Sequence, residues 1–163
     1  MTTSVTDNQE AMKTVHELIK GIDTAMLTTV SEEGLVSRPM KTQDAEFDGT
    51  LWFLTKKDSG KFHELLHNQH VNVAYVGKSY VSIRGKAELV DDQEKLQQFW
   101  NPMYEELLET TSDDPNLVLI KVNAETAEYW DSGNKFKMVK FLFSRMLGKN
   151  TEGTEMNQIV NLS

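Results

Sequence analysis

Strict alternation of apolar and polar residues is the feature that most constrains how this chain folds. In the run from Tyr80 to Val90, every second side chain is apolar or small, and polar or charged side chains fill the positions between. Successive side chains of a β-strand point to opposite faces, so this pattern predicts a strand with one buried face. The buried positions would be Val81, Ile83, Gly85, Ala87 and Leu89.

Five further short runs are rich in β-forming residues, and residues typical of turns separate most of them. Glu33-Gly34, Asp48-Gly49 and Gly77-Lys78 are residue pairs typical of hairpin turns. Six strands with few intervening helices predict a mainly β, antiparallel six-stranded barrel. The other five predicted strands are Ala25–Val30, Val36–Met40, Thr50–Thr55, Val71–Val76 and Leu117–Tyr129.

Helical patterns flank the predicted barrel. Apolar residues at helical spacing predict a helix over 8–20, and they predict a second helix that starts near Asp91 or Asp92 and ends before Asn101-Pro102. The same criterion predicts a basic amphipathic helix over 134–148, for which we favour packing on the barrel or the partner subunit over binding to a membrane surface. We expect one domain over residues 1–150 of this 163-residue chain, followed by a flexible tail over 151–163.

Composition excludes several classes of function. The chain has no cysteine, which removes disulfides and thiolate metal sites. A net charge of −8 argues against general nucleic-acid binding, because phosphate contacts need a clustered positive face. We find no basic leader and no apolar stretch of membrane-spanning length, so we expect a cytoplasmic location and no membrane partner.

The segment from Thr55 to Lys61 predicts an anion site. It follows the apolar run Leu51–Leu54 and precedes a helix-like stretch. The hydroxyls of Thr55 and Ser59, the Lys61 ammonium and the free N–H groups of a helix start converge at one turn, an arrangement that binds phosphate. An ordinary helix cap with a solvated lysine is the alternative for Ser59-Gly60-Lys61 taken alone.

Together, Ser37-Arg38-Pro39-Met40, Leu51–Thr55, Ser59-Gly60-Lys61 and the run from Tyr80 to Glu88 carry a resemblance to one superfamily. The chain resembles the pyridoxamine 5'-phosphate oxidase-like, FMN-binding split barrels, and within them the general stress protein 26 group. The similarity runs from about residue 15 to 130. It implies a homodimer with FMN, or alternatively FAD, at the subunit interface.

The resemblance also implies a role for each matched residue. Arg38 would pair with the flavin phosphate, and Ser59 and Lys61 would complete the phosphate site. Pro39 and Met40 would line the isoalloxazine ring, while Leu54 and Thr55 would meet the ring edge and ribityl chain. Trp130 would approach the flavin from the partner subunit, although a core or interface aromatic is its structural alternative.

Two departures limit what the resemblance implies. The oxidases carry an Arg-x-His-x-Arg type segment shortly after the tryptophan, where this chain reads Asp131-Ser132-Gly133-Asn134-Lys135-Phe136. The chain is therefore not expected to be a true pyridoxamine phosphate oxidase. The oxidase pattern also has arginine where Gly60 lies, which leaves the phosphate with one cation fewer.

Three functions stay open at this point. The first is a flavin-dependent oxidoreductase acting on a small substrate, for which no catalytic residue is identified. The second is a flavin-binding reservoir or sensor without turnover. The third and most remote is a zinc peptidase, because His63-Glu64-Leu65-Leu66-His67 matches H-E-x-x-H. A helical wheel places His63 and His67 opposite the apolar residues, so we expect both histidines to face solvent and no metal to bind.

Overall fold

All six predicted strands are present in the computed structural model, which describes residues 5–43, 47–130 and 157–162. Their ends differ from the predicted ends by a residue or two. A seventh strand follows near the C-terminus. The strands are β1 (Thr24–Ser31), β2 (Gly34–Lys41), β3 (Thr50–Lys56), β4 (His70–Val76), β5 (Tyr80–Val90), β6 (Leu117–Trp130) and β7 (Asn157–Asn161).

Every strand pairing is antiparallel, and the strands form one sheet in the order β2-β1-β4-β5-β6-β3. The long strand β6 pairs with β3 through Leu117–Asn123 and with β7 through Thr126–Trp130. Strands β2 and β3 are the two ends of this path. The sheet curls into a split antiparallel barrel whose split lies between β2 and β3.

The barrel core follows directly from the strand register. Leu27, Val73, Ile83 and Ala127 are consecutive partners across β1, β4, β5 and β6, and each is at most 1% exposed. Gly85 marks the register shift in β5, because a β-carbon there would lie 2.3 Å from the carbonyl oxygen of Asn123. Only glycine allows the two backbones to approach this closely.

The described residues include four helices that pack against the sheet: α1 (Val5–Ile19), α2 (Gly60–His67), α3 (Gln93–Phe99) and α4 (Met103–Leu108). Val15 of α1 and Leu65 of α2 are buried in the barrel core. Helices α3 and α4 cover a second apolar cluster on the other face of β3 and β6. Among the described helices, none has the length and apolar content that crossing a membrane requires.

One prediction about the chain's organisation needs correction, and one helix was not predicted. The tail prediction was wrong for residues 157–162, since β7 pairs with the free edge of β6 and Leu162 is 4% exposed. Helix α3 ends before Asn101-Pro102, as predicted, with Trp100 as its C-cap. Pro102 is also the N-cap of the unpredicted helix α4. The predicted helix over 134–148 lies outside the described residues.

Candidate anion-binding site

The start of α2 forms the turn that the sequence singled out. Ser59 has extended dihedral angles, and its hydroxyl accepts a hydrogen bond from the N–H of Phe62 at 3.3 Å. The Oγ1 of Thr55 lies 3.2 Å from Ser59 Oγ, which ties the end of β3 to the helix cap. The first turn of α2 holds no acidic residue. The first turn itself therefore adds no carboxylate that would offset the partial positive charge of this helix end, although Asp58 directly precedes the cap.

Arg38 lies beside this helix start, and it is held there by Glu64. Arg38 is paired with Leu27 in the sheet, so its side chain lies on the core face of β2. Its Nη1 donates to Glu64 Oε2 at 2.7 Å and its Nη2 donates to Glu64 Oε1 at 2.8 Å. Thr29 adds a hydroxyl that donates to Glu64 Oε2 at 2.5 Å and accepts from Arg38 Nη1 at 3.1 Å.

This pairing leaves one edge of the Arg38 guanidinium available. The group has five N–H donors, and the bonds to Glu64 and Thr29 use three of them. Within the described residues, the remaining donors, on Nε and Nη2, have no partner. A β-carbon at position 60 would lie 3.4 Å from Nη2, so this edge lies close to Gly60 at the first turn of α2.

Lys61 is the second cation of the site. Its side chain is half-buried and makes no hydrogen bond or ion pair within the part of the chain that the structure describes. Burial lowers the pKa of Lys61, the positive charge of Arg38 lowers it further, and Glu64 acts in the opposite direction. Two neighbouring cations lie at this helix start, and within the described residues Lys61 has no partner. Such an arrangement is suited to an anion.

The carboxylate of Glu64 stays charged in this setting. Hydrogen bonding from Arg38 is the largest of the effects that bring its pKa down to about 2, and Thr29 and Lys61 contribute in the same direction. Arg38 and Lys61 contribute two positive charges and Glu64 one negative charge, so the side chains of the site carry a net charge of +1.

The other predicted site residues of β2 and β3 lie on different faces. Met40 shares the core face of β2 with Arg38 and is buried, whereas Pro39 is exposed on the outer face. Thr55 is buried on the core face of β3. The side chain of Leu54 points the other way, into the second apolar cluster. A ligand bound in the split of the barrel would therefore contact the backbone of Leu54 and not its side chain.

Trp130 is not brought to the Arg38 site by its own chain. It ends β6, where its sheet partners are Tyr80 of β5 and Asn157 of β7. Strands β1, β4 and β5 separate β6 from β2. In the other direction, β3 reaches β6 only as far as Asn123. A role for Trp130 at the same ligand requires a second chain and stays a prediction.

The zinc-peptidase alternative finds no support in the geometry. His63 and His67 are exposed, as expected, but Glu64 points to Arg38 and cannot act as a free general base. Within the described residues there is no group of three or more side chains arranged to hold a metal ion. The literal match to H-E-x-x-H reflects an exposed helix face with an inward ion pair.

A cavity of about 440 Å³ lies at the opposite ends of β2 and β3 from this site. Its lining includes Lys41, Thr42, Trp52 and Tyr75. Among the described residues that line it, none belongs to the group of Arg38, Ser59 and Lys61. The cavity and the anion-binding site therefore occupy different stretches of the split between the two strands.

Sequence reasoning missed the roles of Glu64 and Thr29. Glu64 was interpreted as part of the histidine motif, although it lies four residues after Gly60 and so shares a helix face with it. That spacing was the available signal for Glu64. For Thr29, a polar residue at an inward position of β1 gave a weaker signal.

Known relatives resemble this chain in sequence and fold. It is 29% identical over 117 residues to Protein bli-3 of Neurospora crassa, covering 64% of this chain and 56% of that protein. It is 27% identical over 92 residues to General stress protein 26 of Bacillus subtilis, covering 53% of this chain and 65% of that protein. The chain thus matches less than two thirds of either relative's length.

Solved structures give the same picture. The general stress FMN/FAD binding protein of Xanthomonas citri superposes with a TM-score of 0.67 at 27% identity, covering 77% of this chain and 92% of that one. A family model described as Pyridoxamine 5'-phosphate oxidase like matches residues 10–155. Because that match covers most of its length, the chain belongs to the pyridoxamine 5'-phosphate oxidase like family.

Proposed function

We propose that the chain is a flavin-binding protein that holds the phosphate of FMN or FAD at the start of α2. One observation carries this proposal: the ammonium of Lys61 has no partner among the described residues, and it is close enough to Arg38 for the two positive charges to interact. A cation that is half-buried and unpaired is unfavourable unless an anion joins it. The Xanthomonas citri relative, which is named for FMN and FAD binding, supports the choice of anion.

The residues present fit a phosphate group. The Nε and Nη2 edge of Arg38 is a planar pair of donors suited to two phosphate oxygens, and Lys61 supplies a second charge. Ser59 adds a hydroxyl at the helix cap. Gly60 keeps the space next to Nη2 free of a side chain. Met40, on the same face of β2 as Arg38, would offer apolar contact to the ring system.

We further propose a flavin-dependent oxidoreductase, with a reservoir or sensor role as its alternative. A bound flavin supplies hydride or electron transfer to a small substrate. The residues of this chain would bind the phosphate, orient the ring and exclude water from it. The two roles differ in whether a reductant and a second substrate both react with the bound flavin.

A second copy of the chain is part of the proposal. The face of the sheet that points away from the core carries an outer patch that includes the apolar residues Met26, Val76, Tyr80, Trp130 and Ile159. Ala74, Ser82 and Glu128 lie between Met26 and Ile159 in the same row. Val76 and Ile159 are 65% and 70% exposed in the single chain. The register places these residues in two adjacent rows across β1, β4, β5, β6 and β7. Pairing of this patch with its copy would remove apolar surface from water.

The experiment is a titration of purified protein with FMN, FAD and riboflavin, followed through the visible absorption band of the flavin. We expect saturation at one nucleotide per chain and much weaker binding of riboflavin, which lacks the phosphate. Sedimentation equilibrium should give twice the mass of one chain. Equal affinity for riboflavin and FMN would overturn the phosphate assignment.

Rapid mixing with NADH or NADPH and then an electron acceptor separates an oxidoreductase from a reservoir.

A further inference from the structure

We propose that Glu64 determines which flavin nucleotide the site accepts, by limiting how strongly the site favours a doubly charged phosphate. FMN ends in a phosphomonoester, whereas each phosphate of FAD is a diester with a single charge. A negative side chain at the site disfavours the ligand with the greater charge there. This inference rests on the proposed flavin function and adds a specificity-determining residue to it.

The geometry places Glu64 where its charge acts on a bound anion. Its carboxylate oxygens lie 2.7 and 2.8 Å from the two Nη atoms of Arg38, and Nη2 also forms the free edge of that side chain. Lys61 stands three residues earlier on the same helix, and its charge acts on Glu64. Any anion shared by Arg38 and Lys61 is therefore close to Glu64 as well.

The charge of Glu64 is constant across the useful pH range. Arg38 from β2, Thr29 from β1 and Lys61 from α2 all favour its ionised form, and its pKa is about 2. The phosphomonoester, in contrast, changes from one negative charge to two with a pKa of about 6. Glu64 should therefore disfavour FMN relative to FAD above this pKa and lose that preference below it.

The test compares wild-type protein with Glu64→Gln. Glutamine keeps the shape of the side chain and an oxygen that can accept from Arg38, but it removes the charge. The measured quantity is the ratio of the dissociation constants for FAD and FMN. At about pH 8 we expect this ratio to rise on the order of tenfold in the variant, because one unit charge has been removed near the site. At about pH 5 the ratio should change by less than about threefold.

The use of a ratio separates charge from structure. If Glu64 served only to position Arg38, its replacement would weaken both nucleotides alike at both pH values. His63 and His67 lie on α2 in both proteins, so comparing wild type with variant at the same pH isolates the change at position 64. Thr29→Val is the matched control. It removes the hydrogen bond that Thr29 accepts from Arg38 and the one that it donates to Glu64, without changing the charge of the site. It should leave the ratio unchanged.

A second variant tests the inference independently of how Glu64→Gln folds. Lys61→Gln lowers the charge of the site by one unit, so it should shift the ratio toward FAD while weakening both nucleotides. An unchanged ratio at about pH 8 in Glu64→Gln, or in Lys61→Gln where Glu64→Gln does not fold, would overturn the role of Glu64. Because flavin is still bound in that case, the proposed function would stand. Failure of the wild-type protein to bind either nucleotide would overturn the proposed function and this inference together.

Discussion

Helices α2 and α3 begin in the same way but differ in charge. Each follows a β-strand and starts at a side-chain cap: Ser59 accepts from Phe62 N–H at 3.3 Å, and Asp92 accepts from Lys95 N–H at 3.1 Å. The cap of α3 is itself an acid, and Glu94 lies in its first turn. The first turn of α2 contains no acid.

The two helix starts therefore differ in whether acidic side chains of the cap and first turn offset the positive end of the helix dipole. Helix α3 offsets its positive end with its own carboxylates. Even Lys57, which comes from the turn before α2, is paired with Asp91 beside α3 at 2.9 Å. Lys61 has no such partner within the described residues, and the acid on its helix, Glu64, is bound to Arg38. The start of α3 is offset by carboxylates of its own element, whereas the start of α2 carries the cations that we propose to pair with an external anion.

The largest expected effect comes from removing both cations of the α2 site. In Arg38→Gln with Lys61→Gln, the glutamine at position 38 can still donate one hydrogen bond to Glu64. Each lost charge-assisted bond to phosphate is worth about 1.5–3 kcal/mol, so FMN binding should weaken by roughly 3–6 kcal/mol. Absorption titration measures the change.

The matched control for that variant is Lys57→Gln. Lys57 belongs to the same turn but is paired with Asp91, so its loss should leave FMN affinity unchanged. If the control weakened FMN as much as the double variant, general positive charge would explain binding. The distinction between paired and unpaired lysines would then have no functional meaning.

The two helices should also differ in how their carboxylates affect stability at low pH, because Glu64 of α2 is paired with Arg38. The pKa of Glu64 in the folded chain is about 2, below its ordinary value of 4.5. A lowered folded-state pKa contributes stability above about pH 4.5, and this contribution is lost as the pH falls toward 2. The contribution should be on the order of 3 kcal/mol.

Urea unfolding between about pH 6 and pH 2 measures this contribution. The wild-type protein should lose its stability advantage over Glu64→Gln as the pH falls. Glu94→Gln, at the exposed first turn of α3, should retain the acid dependence of the wild type. An advantage of wild type over Glu64→Gln that stayed constant with pH would show that the ion pair adds no pH-dependent stability.

The sequence predicted the strands better than it predicted the contacts between them. Alternation and turn residues located all six barrel strands, because period-two burial is a local property. Strand β7 was missed because its polar surroundings outweighed Val160 and Leu162, whose burial depends on the free edge of β6. The register shift at Gly85 was not predicted, although an isolated glycine within a strand is a local sign of one. Its cause, the close approach of the Asn123 backbone, depends on the pairing of β5 with β6.

The sequence predicted the cations and hydroxyls of the candidate site, but it did not predict Glu64 and Thr29 or the contacts among these side chains. The hydroxyls and lysine of the α2 turn formed a recognisable motif, and the family resemblance added Arg38. Spacing along the chain could place Glu64 on the face of α2 that contains Gly60, but it could not indicate Arg38, which belongs to another element, as the partner of Glu64. Leu54 was assigned to the ligand although its side chain belongs to the second apolar cluster, since the resemblance gave its position and not its face.

The smallest expected effect on stability, and the sharpest test of the comparison, is to exchange the two caps. Serine and aspartate are nearly equivalent N-caps, so Ser59→Asp and Asp92→Ser should each leave the free energy of unfolding within about 0.5 kcal/mol of wild type. Their effects on flavin should differ. Ser59→Asp adds a negative charge where the phosphate would lie, and FMN affinity should fall about tenfold. Asp92→Ser should not alter it. Equal loss of FMN in both variants would mean that the start of α2 is no more an anion site than the start of α3.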